Sequence, residues 1–182
     1  MIFEQTPLKN VWLIKPQVHS DNRGTFLETF RESLFREHGL EFEYVQDNVS
    51  TSLKGTIRGL HYQLPPASQA KLILVPHGRI LDVAVDMRQN SPTFGQHYTT
   101  ELSSENRFMI LIPSGFAHGF SVLSDEATVF YKCNNYYNKE LERGVRWDDP
   151  DLGIEWGVEN PVISNKDKKQ PLFSELDSQD LF

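Results

Sequence analysis

The densest polar cluster within an otherwise apolar stretch is Arg58-Gly59-Leu60-His61-Tyr62-Gln63. An imidazole with a pKa of about 6.5 is mostly neutral yet basic at pH 7, so a histidine here is suited to taking a proton. Further along, Pro113-Ser114-Gly115-Phe116-Ala117-His118-Gly119-Phe120 places a second histidine among aromatics, after a proline–glycine turn. Tyr131 lies in Val129-Phe130-Tyr131-Lys132-Cys133, and a phenol of pKa about 10 starts protonated and can donate. Lys71 heads the apolar run Lys71-Leu72-Ile73-Leu74-Val75, and Asp167 closes Ser164-Asn165-Lys166-Asp167. Together these side-chain types can move a proton and steady an anion. Each also has a plainer reading: a core histidine bonded to a carbonyl, a tyrosine packing its ring, a lysine snorkelling at a strand end, a turn aspartate.

The elements that carry these residues read as strands. Apolar runs at 11–14, 25–30, 44–49, 71–75, 80–85, 108–112 and 128–133 are punctuated by Gly24, Gly55, Gly78, Pro92, Gly95, Pro113 and Gly115. Many short strands at close spacing predict an all-β sandwich or barrel. In 71–75, Lys71, Ile73 and Val75 share one face while Leu72 and Leu74 share the other, as in a strand enclosed on both sides. Strict alternation would put Arg58 and His61 on opposite faces. Gly59 offers a way out, because a glycine inside a strand often marks a bulge; both side chains reach one cavity only if the backbone is irregular there. Tyr131 shares a face with Val129 and Cys133. One helix is predicted over 31–38, with Leu34 and Phe35 as its apolar residues and Gly39 at a left-handed C-terminal cap.

Length and charge narrow the classes. The 182 residues fit one domain, 1–182, with a substantial core, and no internal repeat or linker marks a second. From about residue 148 the chain turns rich in Asp, Pro, Asn and Lys, which predicts a segment wrapping the barrel and ending in a mobile tail after Pro171. A formal charge of -7 argues against a general nucleic-acid binder but leaves room for a small phosphorylated ligand held by a few arginines. Cys133 is the single cysteine, so no internal disulfide forms and a cytoplasmic location is expected. No membrane span and no basic-then-apolar leader is expected either.

The spacing around the two histidines resembles the paired motifs of the cupin barrels. The second motif, proline–x–glycine–x2–histidine, is intact as Pro113, Gly115 and His118. The first keeps Gly55 and His61, but its second histidine is Gln63 and its glutamate is absent before Gly78. Two histidines and an amide make a poor N/O ligand set, so a cupin-type jelly roll without a metal is expected. The ordered series Asp21-Asn22-Arg23-Gly24, Gln46-Asp47-Asn48, the 58–63 hexapeptide, Lys71-Leu72, Asp82-Val83-Ala84-Val85-Asp86, Ser91-Pro92-Thr93-Phe94-Gly95, 112–120, Tyr131-Lys132, Trp147-Asp148-Asp149-Pro150 and Ser164-x-Lys166-Asp167 resembles one family across residues 21–171. That family is the dTDP-4-dehydrorhamnose 3,5-epimerases.

The resemblance implies inversion of C3 and C5 of dTDP-4-dehydro-6-deoxy-D-glucose, giving dTDP-4-dehydro-L-rhamnose, with no cofactor. It implies His61 as base paired with Asp167, Tyr131 as the opposing acid and Lys71 at the C4 carbonyl. Arg58, His118, Gln46 and Asn48 would line the sugar-phosphate site, with Tyr137 near the nucleotide. A homodimer is implied as well, exchanging the 23–28 strand so that Arg23, Phe26 and Glu28 serve the partner's site. Rival expectations are a relative inverting C3 or C5 alone, a metal-dependent cupin oxygenase or isomerase, and a non-catalytic sugar-nucleotide binder.

Overall fold

The computed structural model describes residues 1–40 and 43–182. In chain order the first strands are β1 (Ile2–Gln5), β2 (Trp12–Lys15), β3 (Val18–Asp21) and β4 (Gly24–Leu27), followed by helix α1 (Glu32–Glu37). The middle of the chain supplies β5 (Gln46–Leu53), β6 (Thr56–Gln63), β7 (Lys71–His77), β8 (Arg79–Asp86) and β9 (His97–Ser103). Then come β10 (Met109–Ile112), β11 (Phe116–Val122), β12 (Glu126–Cys133), β13 (Glu142–Gly144) and β14 (Val162–Ile163). One sheet runs β1, β2, β10, β7, β12, β5; the other runs β13, β6, β11, β8, β9, with β14 parallel to β6. Among the described residues β3 and β4 pair only with each other. Among the described residues no helix is long and apolar enough to cross a membrane.

Period-two alternation explains how the sheets stack as a cupin-type jelly roll. Ile73, Val75, Ile110, Ile112 and Val129 from the first sheet meet Ile80, Ala84, Leu102, Phe116 and Val122 from the second, forming the inner core. The alternate residues of β7 and β10, such as Leu72, Met109 and Leu111, face outward and are covered by Phe35 of α1. Those of β6 and β8, such as Leu60, Val83 and Val85, are covered from the other side by Val145, Leu152 and Trp156. Both faces of the central strands are therefore buried, which is why Lys71–His77 and Arg79–Asp86 carry apolar groups on both sides.

Several sequence expectations need adjustment. The strand placed at 25–30 stops at Leu27, and Phe30 instead packs on Phe35 and Tyr44. The strand placed at 44–49 starts at Gln46 and runs to Leu53, because its polar inner face hid its length. β1, β3, β9, β13 and β14 fell outside the runs chosen; β3 is exposed throughout and β9 is largely polar, so neither shows an apolar stripe. The helix matches well: Gly39 has φ +71° and its N–H donates to the Arg36 carbonyl at 2.9 Å. The tail after Pro171 is packed rather than loose. Phe173, Leu176, Leu181 and Phe182 join the outer core, and the Phe182 backbone bonds Met87 and Gln89. Composition pointed to disorder, but four apolar side chains spaced along a polar tail suffice to seat it.

Candidate active site

The irregularity needed at Gly59 is present. Ile57 and Leu60 both face the outer core, so the strand changes phase between them, and Arg58 and His61 are left on the inner side. The β6–β11 register shifts between His118 and Phe120 at the same level. Gly59 has φ +120°, and a Cβ there would lie 2.5 Å from the Gly119 Cα, so only glycine fits this crossing of two backbones.

The inner faces enclose a cleft of two compartments. The larger, ≈ 520 Å³, is lined by Arg58, His61, Lys71, His118, Tyr131 and Asp167 together with Ser50 and Lys166. The smaller, ≈ 330 Å³, shares His61, Lys71 and Tyr131 and adds Gln46, Asn48, Tyr137 and Glu142. His61 rises from β6 in one sheet and Tyr131 from β12 in the other, so imidazole and phenol stand on opposite walls. Lys71 sits beside Tyr131 on the first sheet, on the inward face shared with Ile73 and Val75.

Asp167 reaches the site by a long path. β14 adds to the free edge of β6 in parallel, Val162 opposite Thr56, and carries the following turn across the strand. Asp167 opens a short 3-10 turn, is 3% exposed, and its Oδ1 lies 2.6 Å from His61 Nε2. Burial pushes the Asp167 carboxyl up, but the hydrogen bond and charge of His61, helped by Ser164 and the Gly59 N–H, leave it below the usual carboxylate range. It is therefore an anion behind the imidazole. Tyr131 is shifted the other way: burial and the Cys133 thiol raise its phenol, and Arg58 only partly offsets them. It stays protonated at neutral pH.

The walls are polar where β5 faces inward. Gln46, Asn48, Ser50 and Ser52 alternate along one face, and Arg58 Nε donates to Ser52 Oγ at 2.9 Å. Gln46 also accepts the Tyr137 N–H at 2.9 Å, which holds Tyr137 over the smaller compartment. Glu142 accepts from the Tyr137 hydroxyl at 2.8 Å and pairs with Lys166 at 2.5 Å, tying the two compartments together beside His61. Arg23, Phe26 and Glu28 are elsewhere. Arg23 pairs with Asp21, Glu28 with Arg31, and Phe26 is 71% exposed on the β3–β4 ribbon. Within one chain the structure does not bring these three to the cleft.

A cupin metal is poorly served by this donor set. Gln63 donates to the carbonyls of Ala67 and Tyr136 and accepts the Asn138 N–H, so its amide is spent holding two loops. Among the described residues no group of three His, Cys, Asp or Glu side chains converges as a ligand cluster.

Residues 5–175 match the sequence model of the family described as dTDP-4-dehydrorhamnose 3,5-epimerase. The chain belongs to that family. A family member from Shigella flexneri is 49% identical over 174 residues, covering 95% of this chain and 96% of the relative. The solved epimerase from Legionella pneumophila, crystallised with dTDP-4-keto-L-rhamnose, superposes with a TM-score of 0.95 at 42% identity, covering 99% of this chain and 96% of that one. A Streptomyces relative named dTDP-4-dehydro-6-deoxyglucose 3-epimerase is 39% identical over 166 residues, covering 90% of this chain and 85% of the relative. The relatives of this chain thus include proteins named for one inversion as well as for two. Sequence reasoning missed Ser50, Ser52, Glu142 and Lys166 as site residues; the period-two polar face of 46–52 was the one signal that pointed toward the first two.

Proposed function

We infer that the chain is an epimerase acting on dTDP-4-dehydro-6-deoxy-D-glucose, inverting C3 and C5 through enolates to give dTDP-4-dehydro-L-rhamnose. The observation that carries this is the placement of His61 and Tyr131 on opposite walls of one cleft, beside Lys71. A C4 carbonyl acidifies the hydrogens on both flanking carbons. His61, oriented by Asp167 through Nε2, takes such a proton on its other ring nitrogen, as in other His–Asp pairs. The electron pair moves onto O4, where the Lys71 ammonium opposes the developing charge. Tyr131 then gives its proton to the carbanionic carbon from the opposite face, which inverts the centre. Solvent resets the pair by taking the proton from His61 and returning one to Tyr131.

The diphosphate and nucleotide fit a path from Arg58 and His118 toward Gln46, Asn48 and Tyr137. Arg23, Phe26 and Glu28 have no role in their own chain's cleft, and their exposure on a ribbon without sheet partners supports a homodimer in which each ribbon closes the other's site. One domain and a cytoplasmic setting, where lone Cys133 stays reduced, complete the reading.

Proton NMR of the dTDP-linked 4-keto-6-deoxyglucose in heavy water tests it. Deuterium is expected at both C3 and C5 after incubation with the protein. Label at one carbon alone would assign the chain to the single-inversion relatives, and no label at either would overturn the reaction.

A further inference from the structure

Asp82 projects into the interior from β8, in line with Ile80 and Ala84, and is fully buried. Its Oδ2 faces His118 Nε2 at 2.8 Å. Its Oδ1, equally buried, has no hydrogen-bond partner among the described residues. A buried carboxylate oxygen left so is costly, and such groups persist where a nearby charge compensates them. Lys71 is a cation that lines the cleft from the facing sheet and makes no direct hydrogen bond or ion pair among the described residues. Burial pushes its ammonium toward the neutral form, while Cys133, Asp82 and Glu142 act in the opposite sense.

The groups around Lys71 can be compared in turn. From β6, Arg58 is positively charged and bonded to Ser52, and His61 is held by Asp167. From β12, burial keeps both the Tyr131 phenol and the Cys133 thiol in their neutral forms. From β13, Glu142 already serves Lys166 and Tyr137. From β11, His118 is occupied by Asp82 itself. Oδ1 of Asp82 is thus the uncommitted carboxylate oxygen in this set.

We propose that Asp82 is a positioning residue with two partners: Oδ2 fixes the His118 ring, and Oδ1 is the counter-charge that keeps Lys71 an ammonium inside the cleft. This deepens the epimerase reading and rests on it, since an enolate oxygen at C4 needs a cation rather than a neutral amine.

Two measurements decide the matter. Lysine-selective 15N NMR of the substrate-free wild-type chain, with the Lys71 signal assigned by its loss in Lys71→Met, should show an ammonium near pH 7. A neutral amine there would overturn the proposal, whether or not any variant folds. In Asp82→Asn, the ratio of its kcat/KM to that of wild type should fall as pH rises, toward the ~10²–10³-fold loss expected of Lys71→Met. A ratio that stays flat with pH would leave Asp82 a merely structural residue and sink its charge role. The titration needs no substrate, so a wild-type chain that exchanged no deuterium would refute the reaction without touching this assignment.

Discussion

At the scale of single residues, the proposed base and acid differ in what surrounds them. His61 has an anion behind it, since Asp167 stays ionised at 2.6 Å, so an imidazolium is stabilised as it forms. Tyr131 has no such anion in hydrogen-bond contact among the described residues, and burial raises it, so it keeps its proton at neutral pH. His61→Ala should therefore abolish exchange of substrate hydrogens with heavy water while the nucleotide still binds, a loss of ~10²–10⁴-fold for one positioned acid–base group. Exchange that persisted would remove His61 as base. Tyr131→Phe should spare proton removal more than inversion, so exchange and product formation, followed in one NMR experiment, should separate. Equal loss of both would count against its donor role.

At the scale of elements, the critical joint is the crossing of β6 and β11. Gly59→Ala places a methyl against the Gly119 backbone at a positive φ and forces the two strands apart. The expected cost is about 1–3 kcal/mol from the backbone conformation, before any clash is counted. Denaturant unfolding measures it, and kcat should fall as well because Arg58 and His61 share that joint. Unchanged stability and activity would mean the strand can change phase without glycine. How far the sequence could be read follows from what each element displays. Strands with an apolar stripe, such as β7, β8 and β12, announced both themselves and their inward residues, so the faces of Lys71 and Tyr131 were predictable from alternation. The phase change at Gly59 was legible only as a possibility, since a glycine permits a bulge without requiring one. Asp167 lies 106 positions from His61 on a turn without periodicity, and no spacing rule connects them; family resemblance alone did. Asp82 stood within the matching run Asp82-Val83-Ala84-Val85-Asp86 with no role attached, and its bond to His118 depends on the pairing of β8 with β11, which alternation does not encode.

At the scale of the whole molecule, the jelly roll is a three-layered object: a shared inner core, α1 over one sheet, and the C-terminal segment over the other. The inner layer is apolar at one end and polar at the end where β5, β6 and β12 meet, and the cleft occupies that polar end. The β3–β4 ribbon belongs to none of these layers. A lone two-stranded ribbon is marginally stable in water, so its backbone opens locally and often. Arg23 at its tip has a side chain 85% exposed, which makes the bond after it a ready scissile site for trypsin. In dilute solution that cut should be among the earliest, and, with each ribbon seated in another copy as proposed, its rate should drop as chain concentration rises, because the seated ribbon is shielded from the protease. Cleavage equally fast at every concentration would mean that each ribbon stays with its own chain.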